Sequence, residues 1–323
     1  MSEQIQAWFS ILAGLIILVG GGEMLVRGAI AIAAAMRVSP LMIGLTVVAF
    51  GTSAPELGVC VEAAFSGAAS VAVGNVIGSN ILNVLFVLGI SSVIAPLVVS
   101  RQLVLYDVPV MIGISFLAWW MARDGVIGRV DGIVLCVTLV VYIASCVQRS
   151  RVTSTAGKDE DADQVVKESK SGKYLAGHAG QIVVGLVLLG FGSKWLVSGA
   201  VSVATWFGVS ELLIGLTVVA AGTSMPEAVT SVMASLRGER EIAIGNVVGS
   251  NILNLAFVLG LSSAIAPGGM SVNEEAIQFD FPVMCCVAVA CFPLFLIGNG
   301  ISRSKGMVFF AAFVIYTVVR IVA

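Results

Sequence analysis

Charge is scarce in this sequence. Lysine, arginine, aspartate and glutamate supply 11% of its 323 residues, and mean hydropathy is +1.05, against roughly 25% charged residues in a soluble domain. A soluble globular class is therefore excluded. Histidine occurs once, as His178, which argues against a histidine proton relay. The six cysteines (Cys60, Cys136, Cys146, Cys285, Cys286, Cys291) stand in apolar segments without a CxxC or Cys/His spacing, so they read as reduced packing residues rather than metal ligands. No basic, aromatic-interleaved patch marks a nucleic-acid surface, and a net charge of -2 points to no charged partner. The start, Met1-Ser2-Glu3-Gln4, lacks a basic n-region and a small-residue cleavage site, so the first apolar run is expected to be retained.

Long hydrophobic runs take the place of charge. A bilayer-crossing helix needs about 20 apolar residues, and ten stretches qualify: roughly 8–34, 39–66, 70–96, 104–122, 126–147, 177–204, 211–236, 241–266, 278–297 and 303–322. Continuous runs, rather than short alternating segments, argue for helices over a β-barrel. The expected class is an all-α polytopic membrane protein with ten transmembrane helices.

Residues 44–96 and 215–267 are one segment written twice without a gap, with 33 of 53 aligned pairs identical. Gly51-Thr52-Ser53-Ala54-Pro55-Glu56 answers to Gly222-Thr223-Ser224-Met225-Pro226-Glu227, and Gly74-Asn75-Val76-Ile77-Gly78-Ser79-Asn80-Ile81-Leu82-Asn83 to Gly245-Asn246-Val247-Val248-Gly249-Ser250-Asn251-Ile252-Leu253-Asn254. The first spans match at Leu25-Val26 and Leu196-Val197, and Asp107-Val108-Pro109 resembles Asp280-Phe281-Pro282 after a slip of two positions. The repeat is thus five spans long: 1–147, then a polar linker at 148–176, then 177–323. An odd number of crossings inverts the second copy, giving the inverted repeat found in secondary transporters. Twelve Lys and Arg lie on the linker side and three at the opposite ends of spans. The positive-inside rule then makes the linker cytoplasmic and turns both termini outward.

The repeated motifs are polar where a membrane core should be apolar. Ser53 and Glu56 are three apart and Thr52 and Glu56 four apart, so one helical face gathers two hydroxyls and a carboxylate. Pro55 cannot donate to the Gly51 carbonyl, so the helix should kink there and free carbonyl oxygens, a device repeated by Gly222, Pro226 and Glu227. On the third and eighth spans Asn75, Ser79 and Asn83, and Asn246, Ser250 and Asn254, recur every four residues as stripes. Small-xxx-small glycines beside them allow close helix approach. The donor set is entirely oxygen, which suits a hard cation: Ca2+ takes six to eight oxygen ligands, and transition metals call for imidazole or thiolate. Two glutamates balance one divalent or two monovalent ions, so alternate occupancy by Ca2+ or Na+ would give exchange.

The paired GTSxPE and GNxxGSNxxN motifs resemble those of the calcium:cation antiporter superfamily, most closely its prokaryotic sodium/calcium exchangers, over essentially the whole chain. The resemblance implies no enzyme activity, no cofactor and no obligate protein partner beyond the lipid bilayer. It implies Na+ and Ca2+ as substrates, a bacterial or archaeal cell membrane, and alternating access with the first and sixth spans sliding over a fixed core. Carried over position by position, Glu56 and Glu227 form the heart of the Ca2+ site, completed by Thr52 and Thr223. Ser53, Ser79, Ser224 and Ser250, with the carbonyls of Ala49 and Ala220, flank it as Na+ ligands, and Asn83 and Asn254 line the middle. Potassium-dependent relatives carry Asp where this chain has Asn254, so K+-independent transport is expected.

Other polar residues have plainer readings. Asn75 and Asn246 are expected to bond helices together rather than bind ions, Glu62 and His178 to sit at an interface, and Glu23 to neutralise Arg27. Asp107 and Asp280 are expected as caps or interface residues at span ends. An H+-coupled divalent-cation exchanger, a passive cation channel and a non-transporting scaffold stay open as alternatives.

Overall fold

The computed structural model describes residues 3–36, 38–156, 172–208 and 220–322. Backbone polar groups inside hydrocarbon must be satisfied within the chain, and nearly all of the described residues are helical. The helices are α1 (Glu3–Met36), α2 (Pro40–Thr52), α3 (Ala54–Phe65), α4 (Ala69–Ile94), α5 (Leu103–Asp124), α6 (Arg129–Ala156) and α7 (Gly172–Trp206), followed by α8 (Ala220–Thr223), α9 (Met225–Leu236), α10 (Arg240–Ile265), α11 (Ala276–Leu296) and α12 (Arg303–Val322). Among the described residues eight helices are long and apolar enough to cross a membrane, and α2 with α3, bent by 42° at their junction, make a ninth candidate. The span expected at 211–236 begins outside the described residues, which resume at α8. The expected linker is helical at both ends, because α6 runs on to Ala156 and α7 starts at Gly172.

Two helices form the centre. Buried residues make up 94% of the apolar stretch of α10 and 72% of that of α4, against 11–44% in the other long helices. These are the two helices that carry the Asn/Ser stripes, so the polar stripes face protein and not lipid. The break between α2 and α3 falls at Ser53 (φ -83°, ψ 6°), and that between α8 and α9 at Ser224 (φ -90°, ψ 7°). Pro55 and Pro226 follow in the first turn of the next helix, where a missing N–H has no intrahelical partner to lose. The expected kink is thus present in both copies.

Three features were not anticipated. Single π-helical turns interrupt the helices at Gly44–Val48, Asn83–Val87, Leu103–Asp107, Asn254–Leu259 and Ala276–Asp280, and such turns are frequent at functional sites. Four two-residue strands accompany the helices. Strands β1 (Leu97–Val98) and β4 (Gly300–Ile301) pair antiparallel, as do β2 (Val126–Ile127) and β3 (Met270–Ser271). These ribbons tie the loops of one half to those of the other and satisfy their backbone groups there. Lastly, the side chains of Asp107 and Asp280 make no helix-cap hydrogen bond, and Asp280 pairs with Arg320 at 3.2 Å. Both are buried, and each accepts a hydrogen bond from a tyrosine of the following span: Tyr142 Oη to Asp107 Oδ1 at 3.1 Å and Tyr316 Oη to Asp280 Oδ1 at 3.0 Å. An Asp inside a span needs such a donor to offset its desolvation.

The first helices of the two halves lie against each other as an antiparallel pair. Gly14, Gly21 and Gly28 of α1 meet Gly192, Gly185 and the His178 carbonyl region of α7, and a Cβ on Gly21 would stand 2.9 Å from the Gly185 carbonyl oxygen. The spacing of seven keeps one face of small residues along each helix, so the backbones approach closely. α1 also packs along α9, whereas among the described residues α7 makes no comparable contact with α3.

Candidate functional site

The kinked helices put the motif residues at the centre of the bundle. Glu56 lies in the first turn of α3 and Glu227 in the first turn of α9, both fully buried, where exposed helix N–H groups favour a carboxylate. Thr52, Ser53, Ser79, Asn83, Thr223, Ser224, Ser250 and Asn254 are buried around them. Ala220 opens α8, and the Ala49 carbonyl accepts from Ser53 N at 3.0 Å and Thr52 Oγ1 at 3.3 Å.

The bonds cross between the two copies in matched pairs. Ser53 Oγ donates to Glu227 Oε1 at 3.0 Å, and Ser224 Oγ to Glu56 Oε1 at 3.2 Å. Thr52 Oγ1 donates to Asn246 Oδ1 and Thr223 Oγ1 to Asn75 Oδ1, both at 3.2 Å. Asn80 Nδ2 donates to the Asn251 carbonyl and Asn251 Nδ2 to the Asn80 carbonyl, both at 3.3 Å. Each half therefore completes the polar shell of the other. Ser224 Oγ also lies 2.9 Å from Ser79 Oγ, which sets oxygens of Glu56, Ser79 and Ser224, from three chain segments, side by side.

Several oxygens in this shell have no partner. Glu56 Oε2, Glu227 Oε2, Asn83 Oδ1 and Asn254 Oδ1 are buried and without a hydrogen bond. An unsatisfied buried carboxylate oxygen is costly, and these unpaired oxygens, contributed by both copies of the motif, offer lone pairs to a cation. The donors present in the shell are hydroxyls and amides, which reorient or yield a lone pair, rather than ammonium or guanidinium groups. An all-oxygen set with two buried carboxyl groups has the chemistry a hard cation requires.

Asn75 and Asn246 act as helix-to-helix bonds: besides the threonines, Asn246 Nδ2 reaches Ser231 Oγ at 3.0 Å and the Glu227 carbonyl at 3.3 Å. Glu23 pairs with Arg27 at 2.6 Å as expected, and additionally with Arg237 of the second half. Glu62 is exposed. Sequence reasoning overlooked Asn80 and Asn251. They lie inside the doubled motif, but one position off the stripe that drew attention, and Asn254 Nδ2 donates to Asn80 Oδ1 at 3.2 Å.

A cavity of about 400 Å³ lies beside this network, lined by Leu45, Phe50, Gly51, Leu139, Tyr142 and Leu186 among others. Its lining is apolar, so it is no part of the oxygen cluster.

Comparison with known proteins supplies the family. The model of the sodium/calcium exchanger protein family matches residues 6–148 and 177–322. A candidate antiporter of Alkalimonas amylolytica, CaxA, is 36% identical over 95% of this chain and 96% of its own length, and the inner membrane protein YrbG of Escherichia coli is 33% identical over 86% and 85%. A solved structure of the sodium-calcium exchanger NCX_Mj superposes with a TM-score of 0.83 at 30% identity, covering 97% of this chain and 98% of that one. The resemblance drawn from the paired motifs and the likeness of the folds agree, and this chain belongs to the sodium/calcium exchanger protein family.

Proposed function

We propose that the chain is a Na+/Ca2+ antiporter that works by alternating access at one site shared by its two halves. The observation that carries this reading is the set of buried, unpaired oxygens contributed by both copies of the motif. Glu56 and Glu227 supply two charges and, through their free Oε2 atoms, the principal ligands of Ca2+. Thr52 and Thr223 complete that position. Ser53, Ser79, Ser224 and Ser250, with the carbonyls of Ala49 and Ala220, hold Na+ on either side, and Asn83 and Asn254 line the middle.

The crossed serine bonds put a hydroxyl of each copy against a carboxylate oxygen of the other, so a hydroxyl that turns a lone pair toward a cation would ligate it together with that carboxylate. Two charges suit one Ca2+ or two Na+, and loading both at once would leave excess positive charge in a low-dielectric interior. Competition follows from charge balance.

The chain is also proposed to have ten spans in two inverted halves, 1–147 and 177–323, joined by a cytoplasmic linker at 148–176, with both termini outside. The antiparallel packing of α1 and α7 supports inversion. So does the sidedness of the ribbons: β1 follows the third span and pairs with β4 after the ninth, and β2 follows the fourth and pairs with β3 after the eighth. Those loops share a face only if one more crossing lies between α7 and α10. The chain would sit in a bacterial or archaeal cell membrane, in keeping with the inner-membrane relative, and without a third carboxylate at Asn254 it would not need K+.

Binding competition tests this reading. Purified protein titrated with Ca2+ at rising Na+ should show an apparent Kd that increases without saturating, as mutually exclusive occupancy requires. A Ca2+ affinity indifferent to Na+ but sensitive to pH would favour H+ coupling and overturn it.

A further inference from the structure

The two halves have matching sequences but unequal packing, and one charged pair marks the difference. Glu23 of α1, in the middle of an apolar helix, is bonded to Arg237 at the end of α9, with Arg237 Nε to Glu23 Oε2 at 2.6 Å. An ionisable residue at such a depth is unexpected without a role. Beside it, a Cβ on Gly22 would lie 3.1 Å from Val229 and 3.5 Å from Met233, so α1 is closed against α9.

The repeat offset of 171, seen in the Asn80–Asn251 pair, relates Glu23 to Lys194, Met233 to Glu62 and Arg237 to Ser66. The counterpart contact, α7 against α3, is open. Lys194 and Glu62 are both exposed, neither side chain has an ion-pair partner among the described residues, and Gly58, the counterpart of Val229, has nothing within 4 Å of an added Cβ. In an inverted repeat the opposite access state is reached when one unit rocks so that the halves exchange conformations. Closure of α7 on α3 in the way α1 is closed on α9 brings Lys194 against Glu62, one turn before Ser66. The polarity is reversed relative to the first pair, with the cation now on the moving helix.

We propose that Glu23–Arg237 and Glu62–Lys194 are the two positions of an ionic latch: the first closed in the conformation described, the second closing in the opposite access state. The proposal rests on the alternating-access reading above. It assigns to four residues outside the ion site the task of setting the balance between the two states. Arg27, on the same helix as Glu23, moves with it and serves either state equally.

A carbodiimide joins a carboxylate to an amine only where the two touch, so it reports the second position directly in the full chain. In proteoliposomes the Glu62–Lys194 amide, measured by mass spectrometry of peptides, should be scarce in the unaltered chain and rise about fivefold in Arg237→Gln, the scale expected from a partly exposed ion pair. A second variant guards against misfolding: Arg237→Lys puts an amine at the first position and makes it reportable too. Adding Glu62→Gln to that variant should raise the cross-link between Glu23 and position 237 while abolishing the other. Absence of a Glu62–Lys194 product under every Na+ and Ca2+ gradient, or a yield unmoved by Arg237→Gln while exchange stays intact, overturns the latch alone. Absence of exchange in the unaltered chain overturns the antiport reading and the latch with it.

Discussion

Glu227→Gln separates a binding site from a structural one because its two expected effects have opposite signs. Glu227 is fully buried, one oxygen held by Ser53 and the other unpaired. At about 2.5 Å and an effective dielectric of about 20, one carboxylate charge attracts Ca2+ by about 13 kcal/mol and Na+ by about 7 kcal/mol before ion dehydration is counted. If dehydration and the remaining ligands cancel three quarters of this, roughly 3 kcal/mol is lost for Ca2+, or more than 100-fold in Kd, and about half as much for Na+. Without ions the variant removes an uncompensated buried charge, so it should be more stable, by roughly 2–4 °C in thermal midpoint per kcal/mol regained. Calorimetric titration of Ca2+ and a thermal melt in ion-free buffer measure both. Ca2+ binding within threefold of the unaltered chain, or a lower ion-free midpoint, would refute the assignment of Glu227.

Other perturbations test other levels of the structure. Ser224→Ala removes a donor to Glu56 and a neighbour of Ser79, and should weaken Na+ binding about tenfold, the worth of one ligand, with a smaller effect on Ca2+; equal losses would count against a flanking Na+ role. Tyr142→Phe leaves Asp107 buried without its donor, and should lower thermal stability by about 1–3 kcal/mol while leaving Ca2+ affinity unchanged. Gly21→Leu forces a side chain into the Gly185 backbone, and should abolish exchange while Ca2+ binding in detergent persists. Na+-driven Ca2+ uptake should be the same with and without K+.

The candidate site was legible in the sequence because its chemistry is local and doubled. GTSxPE fixes a kink, two hydroxyls and a carboxylate within six residues, and a second copy in register made chance packing a poor explanation. Glu56, Glu227 and their serines accordingly come together. What was not legible depends on partners far away in the chain. The Asp107–Tyr142 and Asp280–Tyr316 bonds join residues 35 and 36 positions apart on different spans, and nothing in the local pattern distinguishes a buried Asp from one at a helix end. The π-turns that begin at Asn83 and Asn254 arise where tertiary packing shifts a helix by one residue, and helical periodicity carries no trace of that. Glycines 14, 21 and 28, with 185, 192 and 199, stand at the repeat offset and could have announced the α1–α7 contact; only Gly28 and Gly199 fall beside the matched Leu-Val pair, and the others were hidden among ordinary small residues. The β-ribbons are two residues per strand, too short for any alternation to show.

The central claim, that one site built from both halves couples Na+ to Ca2+, is tested most directly by Ca2+ uptake into proteoliposomes against its own gradient. An outward Na+ gradient should concentrate Ca2+ in vesicles bearing the unaltered chain, and Glu56→Gln or Glu227→Gln should each abolish it. Uptake driven by a proton gradient but not by Na+, or uptake that survives either substitution, would contradict it.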